Sequence, residues 1–351
     1  MTRFALRVWP AAALAALALA AAACLDESAL SVYVLLALTA SVTVGITLLM
    51  GHAGQVSLGH GAFYAAGAYA AGLLAKNGFP SWIALLAAPI AAAGIAAAVG
   101  IPLLSLRGHH LAFATLALHL IFLSLVSELS LTGGDVGLQA IPPLSFAGVT
   151  LTSVRSYAYL SASALVVLVL LAQNLLASRP GRGLRALSSS EVAAASSGIA
   201  VAQYKLAVFA LSAGFAGLAG GIYAFYMGYL APGSFPVMLS IEYIVMATVG
   251  GLGRVSGAVT GSALVFLLVH GLSRIATLSG MPGTAPIILS YAVYAVLLII
   301  AVLFLPGGLV AIIPVHRANP RARSVRGVHP AQAASNDSAN DTVTPNHGSY
   351  S

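Results

Sequence analysis

Apolar runs, several near the ~20 residues needed to cross the hydrocarbon core of a bilayer, follow one another along almost the whole chain. Inside lipid each backbone N–H and C=O must find a partner within the protein, so runs of this kind fold as helices. Charge is correspondingly scarce. Of 351 residues, 60% are hydrophobic and 7% are charged, against roughly a quarter charged in soluble domains. The expected fold is an all-α membrane protein, a polytopic bundle of transmembrane helices interrupted by glycine. Spans are expected at 9–25, 30–50, 60–75, 82–104, 110–128, 157–177, 204–227, 240–252, 255–272 and 286–305, about ten in all. The segment 240–252 is short for ~30 Å of hydrocarbon and reads as a crossing or as a half-helix.

Basic residues near span ends set orientation. With the N-terminus inside, Arg3, Arg7, Arg107, Arg179, Arg182, Arg185, Lys205, Arg254, Arg317, Arg321, Arg323 and Arg326 fall on the cytoplasmic side, and Lys76, Arg155 and Arg274 fall outside. Both termini are therefore expected in the cytoplasm. The net charge of +7 speaks of orientation in a membrane and not of nucleic acid, because the basic residues lie between apolar runs. At the N-terminus, Arg3 and Arg7 precede WPAAALAALALAAAAC, which reads as an uncleaved first span or as a signal peptide ending at Cys24. Ala21 stands where a bulkier aliphatic residue is expected for cleavage, which favours the span. Three regions follow: 1–29 with the first span, 30–310 as the membrane domain, and 311–351 as a basic, polar tail expected to be disordered. A single cysteine rules out an intramolecular disulfide and CxxC chemistry.

Two stretches break the pattern. GHAGQVSLGHG (51–61) follows the span 30–50, and GGLGRVSGAVTG (250–261) follows SIEYIVMATV. Both read as helix, glycine-dense break, helix. Glycines can simply let helices approach closely, and that reading suits Gly217 and Gly221, which lie inside an unbroken helix. Around Gly51 the polar residues His52, Gln55, Ser57 and His60 gather as well. Broken backbone near a membrane needs cover by protein or water and often marks a transport route. The candidate pathway residues are Gly51, Gly54, Gln55, Ser57, Gly59, His60, Gly250, Gly251 and Gly253. Glu128 and Glu242 read as interfacial, and His119 and His270 as hydrogen-bonded packing residues. The histidines are scattered, without HExxH or paired cysteines, so no metal site is expected. No nucleophile has a base at a recognisable spacing either.

The segment SRPGRGLRALSSSEVAAASSGIAVAQYK (178–205) is basic and predicted cytoplasmic. Ser188 with Glu191 three residues on reads as a capping box, so a helix is expected from near Leu187 to about Ser197, ended by Gly198. A short capped helix in such a loop can dock in a groove of a soluble partner and pass that partner's motion to the membrane helices.

Four segments in order, GHAGQVSLGHGAFYAAGAYAAG, LTGGDVGLQAIP (131–142), GRGLRALSSSEVAAASSGIAVAQYK and IVMATVGGLGRVSGAVTG, resemble the LivM-type permeases of branched-chain amino-acid ABC importers. The resemblance covers about residues 30–310. It implies that the loop helix is a relative of the E-A-A-x-x-x-G coupling motif, with Ser188, Glu191, Ala193, Ala194 and Gly198 as the ATPase-coupling residues. Glu191 stands one residue ahead of the general pattern. Ala195 replaces a frequent acidic residue, and Ala140 replaces a usual glycine. Gly133, Gly134 and Asp135, on an outer loop, are either contacts for a binding protein or ordinary turn residues.

The resemblance further implies an importer of several chains in a bacterial inner membrane. Its partners would be a second homologous permease, two cytoplasmic ATPases and a periplasmic or lipid-anchored binding protein. This chain has no GxxxxGK[ST] phosphate loop. It would thus be no enzyme and carry no cofactor of its own, with ATP and Mg on the ATPases. Branched-chain amino acids, urea and amides are the substrates such permeases serve. An ion-coupled secondary transporter would want paired intramembrane carboxylates, which are nearly absent here.

Overall fold

A computed structural model describes residues 20, 22–103, 106, 108–146, 148–278, 284–304, 308 and 309. The described helices belong to one compact unit, Met1–Ile312. Residues predicted as most of the first span, and the tail 311–351, lie outside the described set.

Helix α1, Glu27–Ala53, is 27 residues long and stops at Gly54, whose φ of 64° suits a residue without Cβ. After a six-residue connection come α2, His60–Lys76, and α3, Ser81–Leu103. Helix α4, His109–Glu128, leads into two short 3-10 turns at Ser130–Thr132 and Gly134–Val136. A two-residue hairpin follows, β1 (Ser145–Phe146) paired antiparallel with β2 (Val149–Thr150). Helix α5, Val154–Ala177, starts where the Ser153 side chain accepts from Ser156 N. Then come α6 (Arg179–Ser189), α7 (Glu191–Ser196) and the 27-residue α8 (Val201–Met227). A 3-10 turn at Pro232–Ser234 precedes α9 (Met238–Gly250), α10 (Val255–Leu278) and α11 (Ala285–Phe304).

Among the described residues seven helical segments are long and apolar enough to cross a membrane, one of them Pro232–Gly250, which is α9 together with the 3-10 turn before it. The expected spans from 30–50 onward each meet a helix with ends shifted by a few residues, but not each is a full crossing. Helix α2 has 17 residues and α9 has 13. At 1.5 Å per residue they reach about 26 and 20 Å, short of ~30 Å of hydrocarbon. Taken with its 3-10 turn, the segment that ends at Gly250 reaches 19 residues, and the figure of about ten crossings is approximate.

Helix α8 is the centre of the packing. On one side Gly217 and Gly220 admit α2: a Cβ at Gly220 would lie 1.9 Å from the Tyr64 carbonyl oxygen, and one at Gly67 2.2 Å from that of Gly217. On another side Gly217 and Gly221 meet α3, where Ala84, Ala88, Ala92 and Ala96 recur every four residues and are wholly buried. Such small-on-small faces gain dispersion energy by close backbone approach, since lipid offers no hydrophobic drive for helices to associate. The packing reading of the glycines in α8 therefore holds.

At the end of the bundle away from α6 and α7, Leu138 and Leu230 pair through two backbone hydrogen bonds of 2.8 and 3.0 Å. Two residues on, Ala140 has φ 58°, the one non-glycine residue with positive φ among those described. A left-handed conformation costs an L-residue about 1–2 kcal/mol, a cost that glycine avoids. Gly at this position regains most of that cost but loses more unfolded-chain entropy. Ala140→Gly is therefore expected to raise stability by about 0.5–1 kcal/mol, read as a melting-temperature increase of about 2 °C in detergent. An unchanged or lowered melting temperature would contradict the strain.

Candidate functional site

The break after α1 folds back into the bundle. Gly45 in α1 lies against Ser212 of α8, with a Cβ position 3.0 Å from the Ser212 oxygens. Helix α1 then runs eight residues further, about 12 Å, before Gly54 ends it. The chain 54–59 returns, and His60 at the start of α2 is again level with Ser212, its Nε2 2.7 Å from Ser212 Oγ. Since Ser212 lies eleven residues into α8, roughly 16 Å from its start, helix α2 begins deep in the bundle and not at a surface.

Polar side chains pin this turn-back. Leu58 N donates to Thr115 Oγ1 of α4 at 2.9 Å, and Gly61 N donates to Ser240 Oγ of α9 at 2.9 Å. His119 of α4 links the same point to the loop before α9, with Nδ1 3.3 Å from Ser240 Oγ and Nε2 3.2 Å from the Phe235 carbonyl oxygen. His60, Thr115, His119, Ser212 and Ser240 are all wholly buried. Each makes a bond that an apolar interior would otherwise deny to backbone or side chain. His119 is a hydrogen-bonded packing residue, as its sequence context suggested. Thr115, Ser212 and Ser240 were not singled out by sequence. Their signal was a hydroxyl in a membrane helix, which is common and usually satisfied by the helix's own carbonyls.

The node joins two helix starts. Helix α2 departs from it in one direction and α9 in the other. An aromatic group fills the space beside it: Tyr64 lies 5.5 Å from Tyr223, 5.8 Å from Phe235 and 6.4 Å from Tyr243 between ring centroids. Glu242, two residues beyond Ser240, is consequently at depth, which corrects the interfacial reading. The early start of α9 carries it there, and the Tyr294 hydroxyl of α11 donates to its carboxylate.

Of the remaining pathway candidates, Gly51, Gly250, Gly251 and Gly253 gather at the other glycine-dense contact, whereas Gly59 lies at the node beside Thr115. A Cβ on Gly51 would lie 2.2 Å from Gly253 N, so the two glycine-dense breaks touch. Gly250 packs against Gly257, its Cβ position 1.9 Å from the Gly257 carbonyl oxygen. Gly251 and Gly253 have φ of 111° and 82°. A Cβ added at Gly54 would meet nothing within 4 Å, while one at Gly59 would lie 3.0 Å from the Thr115 carbonyl oxygen. Gln55 and Ser57 are buried, and Ser57 Oγ accepts from Gly59 N at 3.3 Å. Gly51 and Gly253 are thus brought together with each other but not with His60.

The loop helix differs from the expectation. Ser188 is not its cap. It lies in the last turn of α6, its hydroxyl donating to the Arg185 carbonyl at 2.9 Å. Ser190 is the cap, its Oγ accepting from Ala193 N at 3.2 Å, and α7 covers Glu191–Ser196. The capping-box reading missed that three serines in a row offer three choices, and the pattern RPGRGLRALSS supplied a helix of its own upstream. Glu191, at the first position of α7, forms an ion pair with Lys205 in the first turn of α8. Ala193 is exposed and Ala194 buried, and Gly198 has φ 79°. At the opposite end Gly133 and Gly134 have φ of 83° and 61°, and Asp135 is exposed in the second 3-10 turn.

No solved structure matches the chain. Among curated proteins it is 32% identical over 256 residues to the high-affinity branched-chain amino acid transport system permease protein LivM of Escherichia coli K12, covering 66% of this chain and 60% of that protein. It is likewise 32% identical over 247 residues to the protein of that name in Salmonella typhimurium, covering 63% and 58%. The chain therefore spans about 60% of the length of the curated relatives it matches. Residues 28–302 match the family described as the permease component of branched-chain amino acid transport systems, which takes in every helix described above except the outermost turns. Multi-pass helices, glycine-broken spans and this match together make the chain a member of that permease family.

Proposed function

We propose that the chain is a transmembrane subunit of an ATP-driven importer of branched-chain amino acids or related small solutes such as urea and amides. Its helices form part of the translocation pathway in a bacterial inner membrane, with both termini on the cytoplasmic side. A second homologous permease completes the pathway, two ATPase subunits hold ATP and Mg, and a periplasmic or lipid-anchored binding protein delivers substrate near Gly133, Gly134 and Asp135. The chain itself performs no chemistry.

The observation that carries this reading is the placement of α7. A six-residue helix, capped by Ser190 and largely exposed, hangs from the loop between α5 and α8. Its first residue is held by an ion pair to the first turn of α8, the helix against which α2 and α3 pack. A soluble motor that moves α7 thus pulls directly on the centre of the bundle. Movement there would reach the His60–Ser212 contact and the start of α2 without crossing a loop.

The test is ATP-dependent uptake of labelled leucine, urea and acetamide in cells with and without this chain, all partner subunits being present. Uptake of at least one solute is expected to vanish without the chain. Accumulation against a gradient by the purified chain alone in vesicles would overturn the reading and favour an ion-coupled carrier.

A further inference from the structure

The β1–β2 hairpin has no part in that mechanism, and its two faces differ in chemistry. Ser145 pairs with Thr150 and Phe146 with Val149, and Leu151 N donates to the Leu144 carbonyl oxygen at 2.8 Å. Residues directly opposite each other share a face, and faces alternate along a strand. Leu144, Phe146, Val149 and Leu151 therefore form one apolar face, with Ser145 and Thr150 on the other. The base of the apolar face sits on the bundle, where Leu144 is buried and Leu151 half-buried against the main core. Polar contacts fix it there: Leu144 N donates to Tyr157 Oη of α5 at 3.4 Å, and Ser81 Oγ of α3 donates to the Pro143 carbonyl oxygen at 3.3 Å. The other half overhangs. Phe146 is 64% exposed and Val149 68%.

Helix α3 shows what the overhang meets. Phe146 touches Trp82 edge to face, with ring centroids 6.5 Å apart. Trp82 begins a row of exposed large side chains, Trp82, Leu86 and Ile90, which are four residues apart and so lie on one face of α3. The buried alanines that meet α8 occupy the opposite face. Because α3 is of membrane length, the exposed row faces hydrocarbon, and a tryptophan at its end stands where such rings mark the headgroup boundary. From Val136 to Val154 the sequence has no charged residue. Docking surfaces for soluble proteins are ordinarily held in register by charge. This one offers none, and its apolar half continues a row that lipid covers.

We propose that the hairpin is an interfacial anchor: Phe146 and Val149 dip into the leaflet beside the start of α3, at the boundary of headgroups and acyl chains, while Ser145 and Thr150 face water. The unpaired backbone at the tip stays in the hydrated headgroup layer, since in hydrocarbon it would find no partner. The anchor holds this end of α3 at a fixed height in the bilayer and withdraws the hairpin from contact with soluble proteins. The inference rests on the membrane helices alone and not on the solute or the partner subunits.

The test uses the full chain in phosphatidylcholine vesicles. Trp9→Phe and Trp82→Phe remove its two tryptophans, and Phe146→Trp or Thr150→Trp then places one reporter on either face of the hairpin. Phosphatidylcholine brominated at the headgroup end of its acyl chains is expected to quench Phe146→Trp, while iodide in the water quenches it at least about threefold less than Thr150→Trp. Bromine at the methyl end of the chains should quench Phe146→Trp weakly, since the tip does not reach the bilayer centre. Val149→Trp is a second reporter for the apolar face should Phe146→Trp fail to fold, with helicity by circular dichroism as the check. Equal quenching of both faces by iodide would overturn the proposal, and so would a folded apolar-face reporter that neither lipid nor iodide reaches. Loss of the lipid quenching once the remaining subunits are assembled with the chain would give the face to a protein partner and overturn it as well.

Discussion

Gly220→Ala is expected to lower the unfolding free energy by about 4 kcal/mol or more, and to show as lost membrane yield or a broadened, early melting transition. The added Cβ would sit 1.9 Å from the Tyr64 carbonyl oxygen, far inside van der Waals contact. A flexible side chain could swing away, but a carbonyl in mid-helix cannot. Helices α2 and α8 must therefore separate, and because α8 is also clamped to α3 through Gly217 and Gly221, no single neighbour can absorb the shift. The matched control is Gly94→Ala on the exposed side of α3, where a Cβ meets nothing within 4 Å. That change should be neutral or stabilise by about 0.5–1 kcal/mol, the ordinary advantage of Ala over Gly in a helix. If the two variants melt alike, the close approach of α2 to α8 is wrong.

Glu191→Lys is expected to cut ATP-driven uptake about tenfold or more, a coupling loss of ordinary size, while the protein stays folded. The ion pair is part-exposed, with side chains 15% accessible at Lys205 and 47% at Glu191. Such pairs contribute at most about 1 kcal/mol to stability. A large functional loss without a fall in melting temperature therefore points to transmission and not to unfolding. Lys205→Glu alone should cause a similar defect, since it breaks the same link from the α8 side. The exchange Glu191→Lys/Lys205→Glu should recover part of the uptake if the link itself carries the movement. Normal uptake in Glu191→Lys would remove α7 from the mechanism.

The two halves of the fold were unequally legible. Apolar length located the membrane helices well, because a span must be long and satisfy its own backbone. Glycine content located both breaks for a related reason: Gly54, Gly251 and Gly253 take positive φ, which few other residues tolerate. What a one-dimensional pattern could not carry was depth. Nothing local distinguishes α2 from an ordinary crossing. Its start is fixed by Ser212 and Ser240, about 150 and 180 residues downstream, through bonds that any membrane serine might or might not make. The same limit misplaced Glu242. In the loop the error was smaller and of another kind, since Ser188, Ser189 and Ser190 are equally good caps and tertiary context chose the last. Lys205 as the partner of Glu191 was hidden by a sequence separation of 14.

The turn-back at 54–59 also bears on how the polypeptide is made. As the ribosome delivers residues 51–76, neither Gly217, which receives Gly67, nor Ser240, which receives Gly61 N, has been synthesised. The second described helix is too short to settle across the bilayer unaided, and its glycine face for α8 stays uncovered for some 150 residues more. It must wait beside the insertion machinery until α8 emerges, so early truncations of the gene should leave this segment open to proteases that the finished protein resists.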